Sequence, residues 1–121
     1  MAEERTGKPY DLEERTYLFA KQVRLVVKKL PRSISNCEDV KQLVRSSGSI
    51  GANYIEANEA LSKKDFIVRI KIARKEAKET TYWLRLIDPG PNQIEVAAIS
   101  QLIQESTELM KILGAILRKS E

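Results

Sequence analysis

Histidine is absent from this 121-residue chain, and cysteine occurs once, at Cys37. The missing imidazole removes the commonest general base and the commonest metal ligand. Zinc sites built from Cys and His are excluded, as are Ser-His-Asp and Cys-His nucleophile systems. A carboxylate-only metal site stays open. A single cysteine closes no intrachain disulfide, and nothing beside Cys37 would activate its thiol. It reads as a small packed residue near a helix start. Glycine and proline are sparse, at five and four, so long helices meet few interruptions. No run approaches the roughly 18 apolar residues of a membrane span. The opening MAEERTGKPY is polar and of mixed charge, unlike a signal peptide, and the cytoplasm is the expected compartment.

What is present suits one soluble domain. Apolar residues make up 42% and charged residues 31% of the chain, the balance of a folded rather than a disordered protein. The net charge of +4 fits either an acidic partner such as nucleic acid or a lysine-rich solvated surface.

Four segments open with the same signal. Asp11 precedes Glu14, Ser35 precedes Glu38, Ser62 precedes Asp65 and Asn92 precedes Glu95, each with the spacing of a capping box. Pro31 after Leu30, and Asp88-Pro89-Gly90-Pro91 after Ile87, supply stops. Apolar residues then recur at alternating steps of three and four. The stripes are Phe19, Val23, Val26 and Leu30; Val40, Leu43, Ser47, Ile50, Tyr54, Ala57 and Leu61; Phe66, Ile70, Ala73, Ala77, Thr80, Leu84 and Ile87; and Val96, Ile99, Ile103, Met110, Leu113 and Leu117. This is the pattern of a bundle seam, and short connections make neighbours antiparallel. The predicted fold is all-α, an up-down-up-down four-helix bundle with helices at about 12–30, 36–60, 63–87 and 93–117. Residues 1–10 form a loose arm, and the last few residues fray.

The third helix is basic. Between Lys63 and Ile87 stand eight Lys or Arg and three acids. Lys64, Lys71, Lys78 and Arg85 recur every seven residues, opposite the apolar stripe, with Lys75 and Tyr82 on the same face. Such a ridge can follow a phosphate backbone while Tyr82 stacks on a base; it can equally be the solvated back of an amphipathic helix. Asp65 with Arg69 and Lys75 with Glu79 have the spacing of helix-surface ion pairs. The fourth helix carries a second stripe, Ala98, Leu102, Leu109, Ile112 and Ile116, and Leu18 and Leu25 lie off the core stripe of the first. So much aliphatic surface points to self-association.

The least helix-like stretch is RSSGSIGANYIEA, Arg45 to Ala57. Gly48 and Gly51 each cost about 1 kcal/mol inside a helix, which is tolerated where another backbone must come close. Ser46, Ser49, Asn53 and Glu56 sit on the other shoulder and need partners if buried. Asn53 and Glu56 are expected to hydrogen-bond to Arg69, Arg74 or Glu76 of the third helix or to a neighbouring subunit, with Arg45 and Glu79 completing the polar cluster. A catalytic reading would gather Glu56, Glu76 and Glu79 as a carboxylate cluster. Di-metal bundles, however, add histidines to such glutamates.

This stretch resembles the signature of the 23S rRNA intervening-sequence protein family of bacterial four-helix bundles. The matches are Arg45, Ser46, Ser49, Ile50, Asn53, Glu56 and Ala57, then Lys64 and Phe66, then Ala73, Arg74, Glu76 and Glu79. YDLEERTYLFAKQVRLVVKKLP is similar to that family's first helix, so the resemblance covers about residues 10–117. Ala57 departs from the Gly of many relatives. The resemblance implies a bundle that commonly forms a ring-like homopentamer, with no established enzymatic activity, catalytic residue, metal or cofactor. A similar bundle serves as an accessory protein of diversity-generating retroelements, engaging a reverse transcriptase and nucleic acid. Two functions follow as expectations: a non-enzymatic homo-oligomeric scaffold contacting RNA or DNA through the third helix, or a protein-binding adaptor, for example to a reverse transcriptase.

Overall fold

The computed structural model describes residues 11–121; the expected arm at residues 1–10 lies outside them. Four helices follow in order: α1 Leu12–Val27, α2 Ile34–Asn58, α3 Lys63–Leu86 and α4 Gln93–Ser120. Each packs on the next in sequence, and α4 closes the ring by a smaller contact back onto α1. The protein is an all-α antiparallel four-helix bundle.

The caps explain where the helices start. Asp11, Ser62 and Asn92 accept from the backbone N–H of Glu14, Asp65 and Ile94 respectively, satisfying donors that the first turn leaves free. The second helix differs from expectation. Its cap is Ser33, not Ser35, and Ser33 accepts from the Asn36 N–H at 3.1 Å. Starting there places Asn36 inward, where it is buried and ties the two loops at this end of the bundle. Its side-chain amide donates to the Pro31 carbonyl at 3.0 Å and the Asp88 carbonyl at 2.8 Å. Its oxygen accepts from the Asp88 N–H at 3.0 Å. Since Asn36 takes the inward position, Cys37 is turned out and exposed, contrary to the packed role expected of it.

The ends also shift. The first helix stops at Val27, and Lys29 and Leu30 continue as a turn with bonds to the third residue back, because Pro31 disfavours helical geometry at Leu30. The second stops at Asn58, so Leu61 falls in the α2–α3 connection and is 99% exposed rather than buried. The last helix runs past 117 to Ser120, whose hydroxyl donates to the Ile116 carbonyl at 2.8 Å. At the opposite connection Gly90 has φ +78° and lies against Pro31, where an added Cβ would come within 2.9 Å of the proline ring. Both facts require glycine there.

The core is aliphatic. Val23, Leu43, Ile50, Ile70, Leu84, Leu109 and Leu113 are fully buried, and each such side chain contributes about 1.5–3 kcal/mol. The second stripe of α4 is used largely inside the bundle: Leu102 and Leu109 are buried, and Ala98, Ile112 and Ile116 pack against the core. Aliphatic side chains left in water occur on every helix, Leu18 and Leu25 of α1 among them at 55% and 52% exposed, and Val96 of the α4 stripe is itself 37% exposed.

Candidate interaction surface and signature seam

The Arg45–Ala57 stretch faces two helices at once. On one shoulder α2 meets α1. A Cβ built on Gly51 would stand 2.7 Å from Thr16 Oγ1 and 3.1 Å from Thr16 Cβ, closer than any side chain tolerates. Thr16 is buried, and its hydroxyl is tied to the Leu12 carbonyl at 2.6 Å. Gly48 is looser, with its added Cβ 3.3 Å from the end of the flexible Arg24 side chain. Glycine at 51 is thus the contact that sets the α1–α2 distance.

On the other shoulder a ladder of polar contacts joins α2 to α3. Arg69 donates to Asn53 at 3.1 Å, and Asn53 in turn donates to the Ser49 carbonyl and hydroxyl, both at 2.9 Å. The hydroxyls of Ser46 and Thr80 lie 2.8 Å apart in the core. Arg45 bridges Glu76 at 3.4 Å and Glu79 at 3.5 Å. Glu76 is almost wholly buried while Arg45 is half in water, so these pairs fix register more than they add stability. Two residues of the expected cluster stand apart. Glu56 is exposed in a separate groove with Glu59, Asp65 and Arg69. Arg74 leans toward α4, its Nε 3.9 Å from the Cβ position of Gly114. Glu56, Glu76 and Glu79 are therefore not gathered, and among the described residues no three acidic or cysteine side chains come together as metal ligands would.

The ladder changes the electrostatics of the outer face of α3. The expected surface pairs Asp65–Arg69 and Lys75–Glu79 do not form, because Arg69 is drawn to Asn53 and Glu79 to Arg45. Lys64, Lys71, Lys75, Lys78 and Arg85 are all exposed on the outward face. Among the described residues none of the five has an acidic partner within ion-pair distance. Tyr82 stands among them, 57% exposed.

One cross-bundle contact carried no local sequence signal. Arg15 of α1 grips Glu105 of α4 with two bonds, Nε at 2.7 Å and Nη2 at 2.9 Å. The hydrogen bond to Glu105 raises the Arg15 pKa most; partial burial opposes it, and the charges of Glu105 and Glu108 add to the rise. The pair closes the α1–α4 seam, which holds a groove of about 370 Å³ lined by Leu18, Phe19, Ala98 and Leu102.

The signature residues lie within the match to a known family. The sequence profile described as 23S rRNA-intervening sequence protein matches residues 9–115. The chain belongs to this family. Among solved structures it is similar to a protein of unknown function from the S23 ribosomal protein family of Bacteroides thetaiotaomicron, whose crystal structure was determined at 1.70 Å resolution. The two share 34% identity with a TM-score of 0.73, over 88% of this chain and 97% of the other. No curated protein matches the chain.

Proposed function

We propose that this family member is a non-catalytic, homo-oligomeric interaction module that binds nucleic acid through the outer face of α3. The observation that carries the reading is the ridge of five exposed cations that have no ion-pair partner among the described residues, Glu76 and Glu79 being drawn to Arg45. An ordinary amphipathic helix intersperses acids among such cations and gains about 0.2–0.5 kcal/mol per pair. Here Glu79 faces the seam and Asp65 sits at the helix start. The ridge spans 22 residues from Lys64 to Arg85, or roughly 30 Å of helix axis. A polyanion laid along it releases counterions at every contact. The decisive variant is Lys71→Glu with Lys78→Glu. Both residues are exposed, so folding should be preserved. Fluorescence anisotropy with labelled RNA and DNA at low salt should show at least a tenfold loss of affinity. Unchanged affinity, or no binding by the unaltered protein, would remove the reading.

Self-association is supported by the apolar face of α1. Leu18 and Leu25, with Tyr17 beside them, are more than half exposed, and Leu18 also lines the α1–α4 groove. A helix presenting this much apolar surface is better placed against another copy than in water. Sedimentation equilibrium should give a multiple of the 13.8 kDa protomer mass. Leu18→Glu with Leu25→Glu should return the protomer alone. A monomer at micromolar concentration in the unaltered protein would contradict the assembly.

A further inference from the structure

The aromatic on the ridge is held in place, which a merely solvated tyrosine is not. The Tyr82 ring meets Trp83 edge to face, with centroids 5.2 Å apart and planes at 75°. Trp83 is itself packed against the core. Such a pair adds about 0.5–1.5 kcal/mol to the orientation it favours. The ring's position is thus braced from inside while 57% of the residue remains in water.

Its neighbours on the same face are cations. Lys78 lies four residues before Tyr82 and Arg85 three residues after it, about 6 Å and 4.5 Å away along the axis. Lys75 and Lys71 continue the line. Among the described residues no acid engages Lys78 or Arg85. The alternation is cation, ring, cation. A strand of unpaired nucleotides presents the complementary alternation of phosphate, base face and phosphate. A duplex does not, because its base faces are covered by their neighbours in the stack.

Resting on the reading of the ridge as a nucleic-acid surface, we propose that it takes single-stranded nucleic acid, one unpaired base stacking on the braced Tyr82 ring with flanking phosphates at Lys78 and Arg85. Exposed lysines are screened over about 8 Å at physiological salt, and they attract duplex and single strand alike. Preference for the single strand comes from stacking, at about 1–3 kcal/mol per base. RNA and DNA share this chemistry.

Trp83 is the chain's one tryptophan and touches Tyr82, so its emission reports binding without a label. The experiment titrates the full-length protein with an oligouridylate, an oligothymidylate, a duplex and an abasic oligonucleotide, all of one length. Both single strands should bind more tightly than the duplex and change the Trp83 emission; the tighter of the two names the sugar. Tyr82→Ala should weaken single-strand binding roughly tenfold to hundredfold, and Tyr82→Phe should retain it. The abasic strand should bind weakly and be indifferent to Tyr82→Ala. Equal binding of duplex and single strand, with Tyr82→Ala silent, would overturn the stacking platform and leave the ridge as a phosphate surface. Failure of every nucleic acid to bind would overturn both.

Discussion

Gly51→Leu should destabilise the bundle by about 3 kcal/mol or more, at the upper end of overpacking effects in well-packed cores. The first added carbon already falls 2.7 Å from Thr16 Oγ1. Thr16 cannot yield, because it is buried on α1 and its hydroxyl is held by the Leu12 carbonyl. Either α1 moves away from α2 or the side chain is forced off its rotamer. A drop of several degrees in melting temperature, followed by circular dichroism, is the measurement. The clash is specific to one partner, so a double-mutant cycle identifies it. Gly51→Ala gains up to about 1 kcal/mol of helix propensity but meets Thr16. Gly51→Ala combined with Thr16→Ala should recover stability relative to the sum of the two changes, by at least about 0.5 kcal/mol. A Gly51→Leu protein as stable as the original would show that close approach to α1 is not what keeps glycine there.

Asn36→Ala is the second large effect, and it acts at the far end of the molecule. The substitution removes three hydrogen bonds from a fully buried side chain. It leaves the Asp88 N–H, the Asp88 carbonyl and the Pro31 carbonyl without those partners. Unsatisfied buried groups cost about 1–3 kcal/mol each when wholly desolvated. These loops are partly open to water, so a total of about 2–4 kcal/mol is expected. Asn36→Asp separates geometry from chemistry. It keeps the acceptor for the Asp88 N–H but sets a carboxylate against two carbonyls, so it should be no better than alanine at neutral pH. Chemical denaturation of both variants checks the pair; an Asn36→Asp protein of normal stability would refute the donor role assigned to the amide.

These two positions show what the sequence made legible. Helix number, order and most of the core followed from spacing and caps, because both are local properties of the chain. Gly51 could be recognised as a close-packing position, since nothing else explains glycine inside a long apolar-periodic helix. Its partner could not, because Thr16 is 35 residues away on a different helix. Local spacing favoured Ser35 as the cap, with Glu38 three residues on. The choice of Ser33 was made by Asn36, whose bonds to Asp88 span 52 positions. The same bonds turned Cys37 outward. Arg15 with Glu105, separated by 90 positions, left no periodic trace at all.

The candidate surface was legible by a different route. Heptad spacing alone placed Lys64, Lys71, Lys78 and Arg85 on one face, and that face is exposed. What spacing could not supply was the fate of the acids. Local rules pair Lys75 with Glu79 and Asp65 with Arg69. The α2–α3 seam instead takes Glu79 for Arg45 and Arg69 for Asn53. The family signature is thereby linked to the ridge: Arg45, which ties α2 to α3, also draws Glu79 away from Lys75. Arg45→Ala should free Glu79 to approach Lys75, weakening nucleic-acid binding modestly without touching the ridge.

The salt dependence of binding tests this account most directly. Affinity of the unaltered protein for a single-stranded oligonucleotide should fall linearly on logarithmic axes as salt rises. With four to five phosphates neutralised, the slope should be about −3, and Lys71→Glu with Lys78→Glu should flatten it by at least about 1. A slope near zero, or one that the double variant leaves unchanged, would contradict a nucleic-acid role for the outer face of α3.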